Sequence, residues 1–189
     1  MQRREGRVSA GLLLLLYQIS QVGLQNIPSV TLAVLALNVF LFLSPVRPLH
    51  EVCISVEEGF YRGNWQRLLL SPVHHADDWH LYFNMVSMLW KGMMLEKRLK
   101  SRWFAYIIVV FSLLTGVVYM VLELLLVKIL DDPLYEKSCA VGFSGVLFAL
   151  KVLNNHYSPG RVNNVLGFPI PSKYACWVEL VAIHLISPG

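Results

Sequence analysis

The longest apolar stretch of the chain runs from Trp103 to Leu130 and contains Glu123 and Lys128 as its charged residues. A helix of about 20 apolar residues crosses a bilayer core about 30 Å thick, and this stretch is long enough to do so. The chain has 189 residues, of which 56% are hydrophobic and 15% charged, a composition that does not fit a soluble domain. The sequence therefore predicts an integral membrane protein.

Four shorter apolar stretches suggest that the chain crosses the membrane several times. They are Pro28–Leu43, Trp79–Leu95, Ser138–Leu153 and Tyr174–Ile186. The last two are short for independent spans, which indicates helices sheltered inside a bundle. We therefore predict an all-α, polytopic membrane helical bundle in contact with lipid.

The N-terminal region is predicted to be a separate segment, residues 1–27, preceding a membrane domain at 28–189. Its apolar run, Leu12–Leu16, follows Arg3, Arg4 and Arg7, which is also the outline of a signal peptide. Polar residues such as Gln18 and Gln21 favour a retained helix on the membrane surface. Lys and Arg resist translocation, and their distribution among the loops predicts a cytosolic N-terminus.

Charge and cysteine content exclude some classes of function. The net charge is +4, but no Lys/Arg stripe with interleaved aromatic residues indicates binding to nucleic acid. Cys53, Cys139 and Cys176 lie far apart, are odd in number and form no CxxC pair, so we predict no metal site and interpret them as packing residues. The sequence indicates no cofactor.

Two polar motifs within the predicted spans could carry chemistry, because polar side chains in a membrane are costly. His80 and Asn84 share one helix face at i, i+4 spacing, which fits either a ligand site or a polar clamp between helices. Gly142-Phe143-Ser144-Gly145 leaves a serine hydroxyl accessible between glycines, as for a nucleophile. Small residues of this kind also occur where helices pack closely.

Other ionisable residues are assigned to structure rather than chemistry. Glu96 and Arg98 end the second predicted span and are interpreted as part of a hydrogen-bond network that anchors a loop. A proton relay through Glu179 and His184 is disfavoured, because their spacing is an imperfect helical one.

The order of these motifs resembles the rhomboid family of intramembrane serine proteases. The series is Trp65-Gln66-Arg67, His74 and His75, His80-x-x-x-Asn84, Glu96-x-Arg98 and Gly142-x-Ser144-Gly145. The resemblance covers the whole chain and is closest to a member resident in the endoplasmic reticulum.

The resemblance implies a rhomboid-like fold with five of six core transmembrane helices present. It implies Ser144 as the catalytic nucleophile, with Asn84, His80, Gly145 and the Ser144 backbone N–H stabilising the oxyanion. Trp65, Arg67, Glu96 and Arg98 would be structural. A water-filled cavity around Ser144 would supply the hydrolytic water, and the substrates would be transmembrane proteins in the endoplasmic reticulum.

Two departures from the family pattern bear on this interpretation. The family's general base lies in an Ala-His-x-x-Gly motif that residues 1–189 do not contain, and His184 is a poor substitute. The chain is therefore expected to be truncated before the sixth helix and catalytically inactive; the alternative is a non-catalytic protein that binds transmembrane helices. In addition, Lys100 stands where the family usually has glycine.

Overall fold

The structure is a computed structural model that describes residues 9–157, 162–165, 168–171, 174 and 177–178. It divides into two compact units, Met1–Val146 and Leu147–Gly189. The helices are α1 (Ala10–Val22), α2 (Ser29–Leu43), α3 (Leu49–Val52), α4 (Arg67–Leu70), α5 (Asp78–Leu99), α6 (Ser101–Leu130), α7 (Leu134–Lys137) and α8 (Ser144–Tyr157). The strands are β1 (Val162–Val165) and β2 (Phe168–Pro171).

The long helix α6 is the best candidate for a membrane span. It has 30 residues and a mean hydropathy of 2.4 over its most apolar window, of which 22% is buried. At about 1.5 Å per residue it is about 45 Å long, more than the thickness of a bilayer core. In the described part of the chain it is the one helix that is both long and apolar enough to cross a membrane.

The first three predicted spans coincide with helices α2, α5 and α6. The fourth was predicted to begin at Ser138, but helix α8 begins at Ser144, because residues 138–143 are not helical and Ala140 pairs with Ile54 of a distant loop. The fifth lies almost entirely outside the described residues. With 15 residues, α2 is about 22 Å long and thus shorter than a bilayer core, so the prediction of five transmembrane helices is not established by helix length.

Helix α5 lies at the centre of the first unit. Its N-terminus is capped by Asp77, whose carboxylate accepts a 2.8 Å hydrogen bond from the His80 amide. Helices α1, α2 and α6 pack against it. Its buried residues are Leu81, Asn84, Met85, Met88, Leu89, Gly92, Leu95 and Glu96.

The carboxylate of Glu96 joins the end of α5 to the start of α2. It accepts hydrogen bonds from the Val30 amide at 2.9 Å, the Thr31 amide at 2.7 Å and the Thr31 hydroxyl at 2.8 Å. These amides are among the first N–H groups of α2, which have no partner within the helix. The buried Glu96 carboxylate thus caps the N-terminus of α2. Because the start of α2 lies at the end of α5, the two helices run antiparallel.

Helix α1 packs along α5. The Gly11 amide donates a 3.2 Å hydrogen bond to Asp78, at the opposite end of α5 from Glu96, and the Gln18 side-chain amide donates to the Tyr82 hydroxyl at 3.3 Å. The polar Gln18 therefore contacts α5. The position of residues 1–27 at the membrane surface stays a prediction.

The connection between α5 and α6 contains an unusual backbone conformation. Lys100 has φ 66° and ψ 150°, a region populated almost only by glycine. The glycine that the resemblance implies at this position would adopt this conformation without strain.

The long loop between α2 and α5 is folded and packs on α6. Ile54, Val56 and Leu68 form a buried apolar cluster with Met120 of α6. The loop aromatics Phe60, Tyr61 and Trp65 stay more than half exposed. The loop is thus attached to the bundle by aliphatic residues.

The interpretation of all three cysteines as packing residues is wrong, since Cys53 and Cys139 form a disulfide with a Cα–Cα distance of 5.5 Å. The two residues are 86 positions apart, so their proximity depends on the tertiary fold. An odd number of cysteines does not exclude one bonded pair.

The second unit includes most of α8 and a β-hairpin. Strands β1 and β2 pair antiparallel, with Val162 opposite Pro171 and Val165 opposite Phe168. The fold is therefore predominantly helical but not purely so, because the connection after α8 forms two short strands.

Candidate active site

Ser144 is the first residue of α8 and is exposed. It follows Gly142 and Phe143, of which Phe143 is buried. Gly142 has a φ of 107°, in the region that favours glycine. The first four N–H groups of a helix have no intrahelical acceptor, so those of Ser144 and Gly145 are oriented for other acceptors. The Ser144 hydroxyl and the two N–H groups of Ser144 and Gly145 thus lie at the same helix terminus.

The extended residues before Ser144, here called the pre-serine segment (138–143), are held by contacts from three directions. Ile54 and Ala140 exchange two backbone hydrogen bonds of 2.9 Å each, beside the Cys53–Cys139 disulfide. The Gly142 amide donates to the Ser71 carbonyl at 2.9 Å. Tyr119 of α6 contacts the Ser138 hydroxyl at 3.0 Å. These contacts fix the backbone that leads into the serine.

A cavity of about 150 Å³ opens beside Ser144, entirely within the first unit. It is large enough for several water molecules. Polar groups from the loop and from α6 face it, so water could be held there. Its lining residues are Ile54, Ser71, Pro72, Thr115, Gly116, Tyr119, Ala140, Val141, Gly142, Ser144 and Gly145.

The imidazole of His80 lies directly against Gly142. A Cβ atom added to Gly142 would lie 2.5 Å from His80 Nε2, so only glycine permits this approach. Asn84 lies one turn further along α5, is buried, and donates a 2.8 Å hydrogen bond from its side-chain amide to the His80 carbonyl. One N–H of that amide remains for another acceptor.

Gly145 brings α8 close to α6. Its hypothetical Cβ would lie 3.2 Å from Thr115 Cβ, tighter than ordinary contact. Thr115 in turn donates to the Phe111 carbonyl at 2.7 Å, so its hydroxyl is fixed by α6 itself. The glycines on either side of the Phe143–Ser144 pair therefore serve two different close contacts.

His75 was quoted in the motif series but not assigned a role, and it lies beside His80. The two ring centroids are 5.0 Å apart. Within the described residues neither ring nitrogen of His75 has a hydrogen-bond partner. Burial, with smaller contributions from His80 and His74, lowers the pKa of His75 to about 3, so its imidazole is neutral at physiological pH.

The residues predicted to be structural differ in their contacts. Arg67 is buried; its guanidinium donates to the His50 and Cys53 carbonyls at 2.9 and 2.8 Å and forms a 2.9 Å ion pair with Glu58. Trp65 is 52% exposed. Arg98 lies in the last turn of α5, where a cation complements the helix dipole. His184 and Glu179 lie outside the described residues.

The comparison with protein families gives a match to the rhomboid domain over residues 62–189. The chain belongs to the rhomboid family. The match includes His80, Asn84 and Ser144, and members of this family are membrane proteins.

The chain is also similar to several individual rhomboid proteins. It is 65% identical to rhomboid-related protein 4 of Homo sapiens over 100% of this chain and 60% of that protein, and 64% identical to the Mus musculus protein over the same shares. It is 37% identical to rhomboid-like protein 14, mitochondrial, of Arabidopsis thaliana, over 98% of this chain and 58% of that protein. The chain thus spans less than two thirds of these relatives.

Proposed function

We propose that residues 1–189 form most of the membrane-embedded part of a rhomboid-type serine endopeptidase that cleaves transmembrane proteins in or near their membrane helices. Ser144 is the nucleophile of this proposal. The observation that carries it is the position of Ser144 at the start of α8, where it faces a cavity large enough for several water molecules and lies two residues after Gly142, against which His80 packs.

The chemistry requires donors where negative charge develops on the attacked carbonyl oxygen. The N–H groups of Ser144 and Gly145, the imidazole of His80 and the free N–H of Asn84 could meet at such a point. The hydrogen bond from Asn84 to the His80 carbonyl supports this role, because it fixes the orientation of the carboxamide. The cavity lined by Ser71, Thr115 and Tyr119 would hold the water for hydrolysis.

The proposal needs a general base that residues 1–189 do not provide through the family motif. A serine hydroxyl is a weak nucleophile until a base takes its proton. Oxyanion donors alone leave only a small part of the rate enhancement. A polypeptide of residues 1–189 by itself should therefore be inactive, and a sixth helix carrying Ala-His-x-x-Gly should restore activity.

The location of the protein is also part of the proposal. A disulfide between Cys53 and Cys139 is favoured in an oxidising compartment, so the end of the bundle that carries Ser144 would face such a lumen. This supports the endoplasmic reticulum and agrees with the resemblance to its member called rhomboid domain-containing protein 1.

The test is cleavage of a model transmembrane substrate in liposomes by three proteins. They are residues 1–189, an extended chain in which Gly189 is joined to a helix with the Ala-His-x-x-Gly motif, and the extended chain with Ser144→Ala. Cleavage by the extended chain alone supports the proposal. Serine-dependent cleavage by residues 1–189 would instead make His184 the leading base, and an inactive extended chain would favour a protein that only binds transmembrane helices.

A further inference from the structure

The Cys53–Cys139 disulfide joins the long loop to the pre-serine segment. Cys139 is exposed, whereas Cys53 is buried. The next residue after each cysteine, Ile54 and Ala140, forms the two-hydrogen-bond bridge described above. The covalent bond and the backbone bridge therefore fix the same point, shortly before Ser144.

Cys53 itself lies on a rigid part of the loop. The buried guanidinium of Arg67 binds the Cys53 carbonyl at 2.8 Å and the His50 carbonyl at 2.9 Å, and its ion pair with Glu58 orients it. Three donated hydrogen bonds from a planar fork restrict both position and direction. The disulfide thus attaches the pre-serine segment to a well-anchored site.

Without the disulfide, the hydrogen bonds that hold the pre-serine segment are few. They are the Ile54–Ala140 bridge, the Gly142 amide to the Ser71 carbonyl, the Ser138 amide to the Leu134 carbonyl, and Tyr119 to Ser138. Apolar packing adds to them, because Phe143 is buried and Ala140 packs against the cluster that contains Ile54 and Met120. Segments with few hydrogen bonds open by local unfolding at a free-energy cost far below that of global unfolding. The helices α5 and α6 do not depend on the disulfide, because they are held by apolar packing and, in α5, by the Asp77 cap.

From these contacts we propose that the Cys53–Cys139 disulfide is a redox-sensitive tether that positions the pre-serine segment, and with it Ser144. Its catalytic consequence rests on the proposed function of Ser144. The oxidised protein holds the Gly142–Ser144 backbone against His80; the reduced protein keeps its helices but releases that backbone. Cys53 and Cys139 are positioning residues and do not touch the reacting atoms.

The redox step is a thiol–disulfide exchange with a dithiol reductant. A reductant thiolate attacks the exposed Cys139 sulfur, the S–S bond breaks, and the Cys53 thiolate leaves and takes up a proton. The second thiol of the reductant then displaces Cys139 as a thiolate, which is also protonated. The reductant loses two electrons and becomes a cyclic disulfide, and the protein gains two thiols.

The experiment is hydrogen–deuterium exchange of residues 1–189 in detergent, with and without dithiothreitol, together with alkylation of free thiols. In the oxidised protein neither Cys53 nor Cys139 should be alkylated. After reduction, the peptide that contains the Ala140 and Gly142 amides should exchange about tenfold faster or more, while the centre of α5 is unchanged. Reoxidation should restore slow exchange.

Cysteine variants test the tether without a chemical reductant. The double variant Cys53→Ala/Cys139→Ala should exchange like the reduced protein under both conditions, and the control Cys176→Ala should behave like the original chain. Alkylation of all three cysteines before reduction would overturn the proposal. So would unchanged exchange at Ala140 and Gly142, or faster exchange throughout α5, since the bond would then hold the whole fold.

The catalytic consequence is measured separately in the extended chain. Removing the tether should lower kcat about 10- to 100-fold and leave KM nearly unchanged, because misplacement of the nucleophile does not weaken substrate binding. An unchanged kcat would overturn the positioning role. If the oxidised extended chain had no activity at all, that result would instead count against the proposed function. The hydrogen–deuterium exchange of residues 1–189 would still decide whether the tether exists.

Discussion

Gly142 and His80 are in direct contact, with the imidazole occupying the space where any other residue at position 142 would place its Cβ atom. The contact joins the start of α5 to the residues before Ser144, which are distant in sequence. Two features of position 142 each require glycine: the close approach of the His80 imidazole and the φ of 107°.

The first prediction concerns Gly142→Ala. Its methyl group would displace His80, and its backbone would be strained by about 1–3 kcal/mol, so both stability and the activity of the extended chain should fall. Thermal unfolding in detergent and the cleavage assay measure the two effects. Gly23→Ala is the control, because Gly23 also has a positive φ, 80°, but lies far from His80 in the fold. Equal activity losses in the two variants would contradict a specific contact.

A second prediction concerns the free N–H of Asn84. Asn84→Ala should reduce kcat of the extended chain about 100- to 1,000-fold, as expected for loss of an oxyanion donor. Stability should change little, because the His80 carbonyl can still accept from the helical backbone. Asn26→Ala is a matched control, since Asn26 donates to the Val22 carbonyl with the same i, i−4 geometry at an exposed site. Retention of activity in Asn84→Ala would exclude this donor.

A third prediction follows from the neutral, buried His75. Its pKa is about 3 in the folded protein and about 6.5 when unfolded, so between these values the unfolded state binds more protons. The free energy of unfolding should therefore decrease as the pH falls below about 6.5, with a contribution of up to about 1.4 kcal/mol per pH unit from this residue.

His75→Phe removes that contribution. Unfolding measured in detergent between pH 7 and pH 4.5 should show a shallower decrease for His75→Phe than for the original chain. His50→Phe is the matched control, because it makes the same substitution at a side chain that is 81% exposed. Identical pH profiles for all three proteins would contradict the burial of a neutral His75.

A fourth prediction concerns Lys100, whose φ and ψ lie in a region that side chains avoid. Lys100→Gly should raise the free energy of unfolding by about 1 kcal/mol, because glycine adopts this conformation without strain. Lys97→Gly, inside α5, should lower it by a similar amount. Thermal unfolding of both variants decides the matter, and a destabilising Lys100→Gly would show that the strain is absent.

Much of the helical fold was predictable, because it depends on local apolar pattern. Helices α2, α5 and α6 begin and end within a few residues of the predicted spans, since composition alone distinguishes them from the loops. The start of α8 was predicted too early. The apolar residues Ala140 and Val141 suggested helix, whereas pairing with Ile54 and the disulfide to Cys53 hold them extended. No local pattern contains that information.

The candidate site was predictable as a set of motifs but not as an arrangement. Spacing indicated that His80 and Asn84 share a helix face, and the glycines indicated close approach at Ser144. That Gly142 faces His80 whereas Gly145 faces Thr115 depends on tertiary packing. The contact of Gln18 with Tyr82 also depends on tertiary packing and could not be predicted, whereas Gln21 of the same helix is exposed.

The role of Ser144 as nucleophile is tested by covalent labelling with a fluorophosphonate, which reacts with activated serine hydroxyls. Intact mass and peptide mapping would be compared for residues 1–189, the extended chain, and the extended chain with Ser144→Ala. We expect one label, on Ser144, in the extended chain alone. A label on another residue, or an unlabelled extended chain that is folded, would contradict the assignment of Ser144 as the nucleophile.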